Sequence, residues 1–281
     1  MTDATGYAVD EQARTGSAMT NGSRNDPPPQ SSARSLASEA RAIAEFAELR
    51  RDPIYRGSGV ARGDGRLVLV LPGLFGNDTY LNPLRSWLTR IGYRPAMSMI
   101  AINAGCPERL SRRVEQAFAR RLHGYTGHVA IIGHSRGGML GKALATRLGA
   151  RCTRFIALGS PVGSVLRAGK EGLAQLAAGS SPNAAQNVAA PAVVEAGRAA
   201  MRWFDPDCNS PLCDCSYVHD LLAPLPSATR AFAIYSSEDP VVSPSACPID
   251  GAVNLEVRGS HGGLVVNKAV YRHIAAALAE P

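Results

Sequence analysis

The chain alternates between short, wholly apolar runs and longer segments whose apolar positions recur every three or four residues. Leu67–Leu71 reads LVLVL. It has no polar position to turn toward water, so it predicts a strand covered on both faces. Further strands are predicted at residues 96–101, 129–133, 155–158, 231–235 and 253–257. Between them the spacing becomes helical. In Pro107–Leu122 the residues Leu110, Val114, Ala117 and Phe118 fall on one face, and Pro107 suits a first helical position, where a missing N–H costs nothing. Helices are also predicted within 80–91, over 137–148 and over 267–279, the last with a stripe of Val270, Ile274, Ala277 and Leu278. Strand alternating with helix predicts an α/β fold, a mostly parallel sheet covered by helices.

Two stretches depart from this alternation. Residues 1–34 are rich in Ser, Asn, Gly and Pro and have too little apolar surface to offset their ordering entropy, so a disordered tail is expected ahead of a domain at 35–281. That domain opens with a predicted helix over 35–51, with Leu36, Ile43, Phe46 and Leu49 near one face, ended by Asp52-Pro53. The second departure lies between Leu158 and Ala231, where about seventy residues are too many for a loop in a compact domain. Residues 165–178 and 190–204 read as helices, so a helical cap is expected, inserted at 162–226. Its apolar residues, Leu166, Trp203 and Phe204 among them, are expected to line an acyl tunnel, with docking of the cap on the core as the alternative.

The chemistry is concentrated in Gly133-His134-Ser135-Arg136-Gly137, a G-x-S-x-G pattern that follows the apolar strand VAII and leads into a helix. That context makes a nucleophile elbow: a sharp turn that lifts Ser135 above the sheet's carboxyl end and aims the Arg136 N–H at an oxyanion formed there. With LVLVLPGLFGN upstream and VRGSHGGLVVN downstream, GHSRGG resembles the α/β-hydrolase superfamily, and within it the bacterial lipase- and esterase-like serine hydrolases. The similarity runs from about Pro53 to the C-terminus, with the cap its weakest part.

A serine hydroxyl needs a base. His261, in Gly259-Ser260-His261-Gly262-Gly263 after the last strand, is the candidate, and His219 in the cap is a weaker alternative. The base needs an acid to hold its tautomer. The resemblance puts that acid in the loop after AFAIY, where Asp239 fits and Glu238 is the alternative. It also implies a second oxyanion donor after LVLVL, at the Leu74 N–H with Phe75 next. Pro72 stands where many relatives carry a histidine that rigidifies this loop.

The function the resemblance implies is cleavage of carboxylic esters of lipid or other apolar acyl groups through a Ser135–His261–Asp239 triad and an acyl-enzyme. An acyltransferase or thioesterase would use the same triad, and a catalytically inert binding protein the same fold. No metal or organic cofactor is implied. The expected partner is a small acyl ester, with peripheral contact to a lipid surface.

Charge and cysteines add little. The net charge of +7 permits attraction to anionic headgroups, but lysine occurs only at Lys142, Lys170 and Lys268 and no dense basic block appears, so nucleic-acid binding is not expected. Of six cysteines, Cys208, Cys213 and Cys215 cluster late in the cap and Cys247 follows the acid loop. One or two disulfides stapling the cap to the core are expected, with buried thiols as the alternative. The C-x4-C-x-C spacing suits zinc poorly. The chain begins without a basic segment leading into an apolar one, so cytoplasmic residence is the default expectation.

Overall fold

The computed structural model describes residues 30–169, 191–208 and 213–280. Residues 1–29 of the expected tail and 170–190 and 209–212 of the expected cap lie outside the described residues. Six strands, β1 Leu67–Leu71, β2 Arg94–Ala96, β3 Val129–His134, β4 Cys152–Leu158, β5 Arg230–Ser236 and β6 Val253–Val257, form one sheet in the order β2-β1-β3-β4-β5-β6. Every pairing is parallel. The order reverses at β1, which pairs with β2 on one side and β3 on the other. The crevice outside the carboxyl ends of β1 and β3 is where an open parallel sheet places ligands.

Side chains alternate across a strand with period two, and the core divides accordingly. Leu67, Leu69 and Leu71 pack with Leu110, Val114 and Phe118 of α4 (Pro107–Leu122) and Leu140 and Leu144 of α5 (Arg136–Leu148). Val68 and Val70 pack on the other face with Leu84, Trp87 and Leu88 of α3 (Asn82–Arg90) and with Val270 and Ile274 of the C-terminal helix Lys268–Ala279. All five residues of β1 are buried, as a run with no polar position requires. Each such side chain contributes about 1.5–3 kcal/mol relative to exposure. Asn267 opens the C-terminal helix, its Oδ1 accepting from Ala269 N at 2.8 Å.

The strand expected at 96–101 is the clearest difference from the sequence reading. β2 ends at Ala96, and the chain then leaves the sheet. The buried Asp78 carboxylate takes the N–H groups of Ser98 (3.0 Å) and Met99 (2.9 Å) and the Ser98 hydroxyl (2.8 Å). Those N–H groups are not available to a ladder, and Met99 sits at φ 58, which no strand adopts. At the N-terminus, helix α1 spans Gln30–Arg51, so residues 30–34, counted above with the tail, are helical. It runs into the short helix α2 Pro53–Arg56, whose first turn the Asp52 side chain caps at Ile54 N (2.9 Å).

Within 162–226 the described elements are a helix over residues 162–169 and the helices Pro191–Phe204 and Ser216–Leu222. The last of these buries Tyr217, Val218 and Leu221 in the same core as α4 and α5. Part of the expected cap therefore belongs to the helical layer that covers the sheet. Lys142 of α5, fully buried, fastens that helix: its Nζ donates to Asp220 O at 2.8 Å and to Ala223 O. Trp203 is 84% exposed and Phe204 51%, so neither lines an enclosed tunnel. The expected staple from Cys247 to the cap is not formed. Cys247 is buried with Val242 and Ala246, whereas Cys213 and Cys215 pack against the α4–α5 core. Burial pushes the Cys247 thiol up to about 12. Among the described residues no helix is long and apolar enough to cross a membrane.

Candidate active site

Ser135 stands between the last residue of β3 and the first of α5, with φ 53 and ψ −124. A non-glycine residue at positive φ is strained, and such strain is characteristic of functional turns. Gly133 and Gly137 make the turn possible. A Cβ on Gly133 would collide with the Gly137 carbonyl, and one on Gly137 with the Leu71 carbonyl. The serine is only 9% exposed. Its own N–H is taken by Leu158 O at 2.8 Å, while the adjacent Arg136 N–H, in the first turn of α5, has no acceptor among the described residues.

The structure brings His261 and Asp239 together. His261 Nδ1 lies 2.7 Å from Asp239 Oδ2, and the Asp239 side chain is 1% exposed. The other carboxylate oxygen accepts from Val241 N (2.8 Å) and Val242 N (2.9 Å). A carboxylate so placed accepts the Nδ1 proton and leaves Nε2 bare as a base. Gly159, at φ 50 beyond β4, leaves room for this pair: a Cβ there would lie 3.3 Å from Asp239 Oδ2 and 3.4 Å from His261 Nδ1. Glu238 points elsewhere, to Arg41 and to Arg258 at 3.9 Å. His219 is paired with Asp214 at 2.9 Å on the surface. Among the described residues the Ser135 hydroxyl makes no hydrogen bond to His261. Catalytic serine–histidine bonds commonly tighten only when substrate is in place.

The loop after β1 holds a backbone N–H without an acceptor among the described residues. Gly73 N–H goes to Tyr80 Oη at 2.6 Å and Phe75 N–H to Asn103 O at 3.1 Å, while Leu74 N–H has no acceptor among the described residues. Of the Leu74 and Phe75 N–H groups, only that of Leu74 is therefore open to a ligand. Asn103 Nδ2 also donates to Pro72 O at 2.7 Å, and Arg136 Nη1 donates to Asn103 Oδ1 at 2.9 Å. Together these bonds fix a loop in which Pro72 offers no side-chain donor.

Sequence reasoning missed His134 as part of the site. Its Nε2 lies 3.0 Å from His261 O and its Nδ1 lies 2.8 Å from Tyr80 Oη. Burial, then the neighbouring His261, holds the His134 pKa down to about 3, so the ring is neutral. A carbonyl can only accept, which puts the single ring proton on Nε2 and makes Nδ1 the acceptor of the Tyr80 proton. The chain Gly73 N–H to Tyr80 to His134 to His261 O therefore ties the donor loop to the histidine loop. No local pattern signals it; the G-x-S-x-G motif leaves its first x open. Tyr80→Phe removes the relay while keeping the ring, and leaves a buried donor and a buried acceptor unpaired. It is expected to lower stability by about 1–3 kcal/mol. Urea unfolding measures this, and an unchanged midpoint would contradict the relay.

No protein-family model matches the chain, and no curated protein matches it. Among solved structures it is similar to one from the metagenome-derived lipolytic enzymes LipS and LipT, at 18% identity and TM-score 0.50, over 78% of this chain and 95% of that one. It also matches a thermophilic esterase from Thermogutta terrifontis, at 16% identity and TM-score 0.45, over 76% and 90% of the two chains. A third match is the monoacylglycerol lipase of Paleococcus ferrophilus, at 12% identity and TM-score 0.44, over 78% and 96%. The six-stranded parallel sheet, its helical layers and the likeness to the first of these structures identify the chain's fold as the α/β-hydrolase fold.

Proposed function

We propose that this chain is a serine hydrolase that cleaves carboxylic esters, with Ser135 as nucleophile, His261 as base and Asp239 as the acid that orients it. The observation that carries the reading is the Asp239–His261 pair at 2.7 Å, its carboxylate buried, together with a serine held at positive φ. Ser135 Oγ attacks the ester carbonyl as His261 Nε2 takes its proton. The Leu74 and Arg136 N–H groups stabilise the resulting oxyanion. His261 returns the proton to the leaving alcohol, and water, activated by the same ring, then releases the acid and restores Ser135. No step calls for a metal or an organic cofactor.

An apolar acyl group is the favoured substrate. Phe75, Met97, Met99 and Ile102 lie exposed on the loops that follow β1 and β2, and Phe204 is exposed at the end of the Pro191–Phe204 helix. The first four supply apolar surface on the loops leaving the carboxyl ends of those strands, and Phe204 adds to it from the insertion after β4, suited to an acyl chain or to peripheral contact with a lipid surface. Each acyl CH₂ desolvated there adds up to about 0.8 kcal/mol. Over a series of p-nitrophenyl esters, kcat/KM is expected to rise from acetate to octanoate. Brief acid quenching should trap an acyl-enzyme whose mass increases by the acyl group used. A preference for acetate would contradict the apolar acyl site, and hydrolysis of none of the esters would contradict the function itself.

A further inference from the structure

Helix α1 packs against the turn that follows His261 and against the C-terminal helix. Glu45, with its side chain 11% exposed, reaches from this helix to the residue before His261. Its Oε1 accepts from Ser260 N at 3.0 Å and its Oε2 from Ser260 Oγ at 3.1 Å. Ser260 Oγ in turn accepts from Gly263 N at 3.1 Å, which closes the turn around His261. The carboxylate occupies the space that a side chain on Gly263 would fill. Four residues earlier on α1, Arg41 holds Glu45 at 3.2 Å and also pairs with Glu238, the neighbour of Asp239. One helix, distant in sequence, is thus bonded to the loop of the base and to the loop of the acid.

We propose that Glu45 is a positioning residue for His261: its carboxylate fixes the Ser260 backbone and hydroxyl, and so the origin of the imidazole that must face Ser135. The inference rests on the serine-hydrolase reading above. His134 holds the same turn from the other side, at His261 O. Between these two anchors the histidine backbone has little freedom, and the remaining choice of ring orientation belongs to Asp239. A carboxylate is suited to the task because it accepts two hydrogen bonds from one residue at once, each strengthened by its charge.

The test compares Glu45→Ala, Glu45→Gln and Glu48→Gln in the full chain. Glu48 ties α1 to Lys268, the first residue of the C-terminal helix, at 2.9 Å without bonding Ser260 or Glu238, and so reports the effect of loosening the helix alone. With p-nitrophenyl butyrate, Glu45→Ala is expected to lower kcat on the order of 10–100-fold, the range for a small misplacement of a catalytic group, with KM within about twofold. Glu45→Gln should recover most of kcat, because an amide can accept from Ser260 N and donate to Ser260 Oγ. Glu48→Gln should match the wild type. Hydrogen exchange at residues 260–263 should accelerate in Glu45→Ala whether or not the protein hydrolyses the ester. Unchanged exchange there would overturn the inference, as would an unchanged kcat or an equal loss in Glu48→Gln. An inactive wild type whose exchange nonetheless responds to Glu45→Ala would overturn the hydrolase reading and leave only the clamp on the loop.

Discussion

Ser135→Ala is expected to abolish ester hydrolysis without unfolding the protein. The change removes one oxygen from a residue that is 9% exposed and whose backbone bond, Ser135 N to Leu158 O at 2.8 Å, does not involve the side chain. The positive φ is already borne by a residue with a Cβ, so alanine adds no new strain. In the proposed mechanism the lost oxygen is the group that forms the acyl-enzyme, and the loss of kcat should be on the order of 10⁶-fold. A background above water, on the order of 10³–10⁴, should remain from the oxyanion donors and binding alone. The measurement is p-nitrophenyl butyrate hydrolysis with matched circular dichroism spectra. A folded variant with near-wild-type turnover would remove Ser135 from the mechanism.

Asp239→Asn should cost on the order of 10⁴-fold in kcat, the loss known for this exchange in serine proteases. The local geometry explains why an isosteric change is so damaging. Asp239 Oδ1 is committed to two N–H donors, Val241 and Val242, so an asparagine must keep its oxygen there. Its NH₂ group then faces His261 Nδ1 in place of the carboxylate oxygen now 2.7 Å away. A donor at that place forces the ring proton onto Nε2, and the ring can no longer accept from Ser135. Glu238→Gln is the control. Glu238 faces Arg41 and Arg258 on a partly exposed surface, where ion pairs contribute little, so kcat should change by less than about threefold. If Glu238→Gln proves the more harmful of the two, the acid is the wrong one of the pair.

The parts of the fold legible in the sequence are those set by local pattern. LVLVL announces a buried strand because burial on both faces leaves no polar position, and β1 occupies those residues. The segment at 96–101 is apolar too, but its fate depends on Asp78, about twenty residues away in sequence, which removes its N–H groups from any ladder. Residues 216–222 fall within the expected cap because they lie in a long insertion, yet they form a helix whose Tyr217, Val218 and Leu221 complete the core beside α5. Motif and strand order pointed to Ser135, Asp239 and His261 because each follows the carboxyl end of a strand, the edge where a parallel sheet gathers its loops. What holds them was not legible. Tyr80 to His134 spans 54 residues and Glu45 to Ser260 spans 215, and no spacing rule connects positions so far apart.

The most direct measurement is covalent. Folded protein is treated with a fluorophosphonate probe, digested, and the adduct located by mass spectrometry. The serine-hydrolase reading predicts a single adduct on Ser135, absent after denaturation and absent in Ser135→Ala, and greatly slowed in Asp239→Asn. Folded wild-type protein that takes up no probe, or takes it up on another serine, would contradict it.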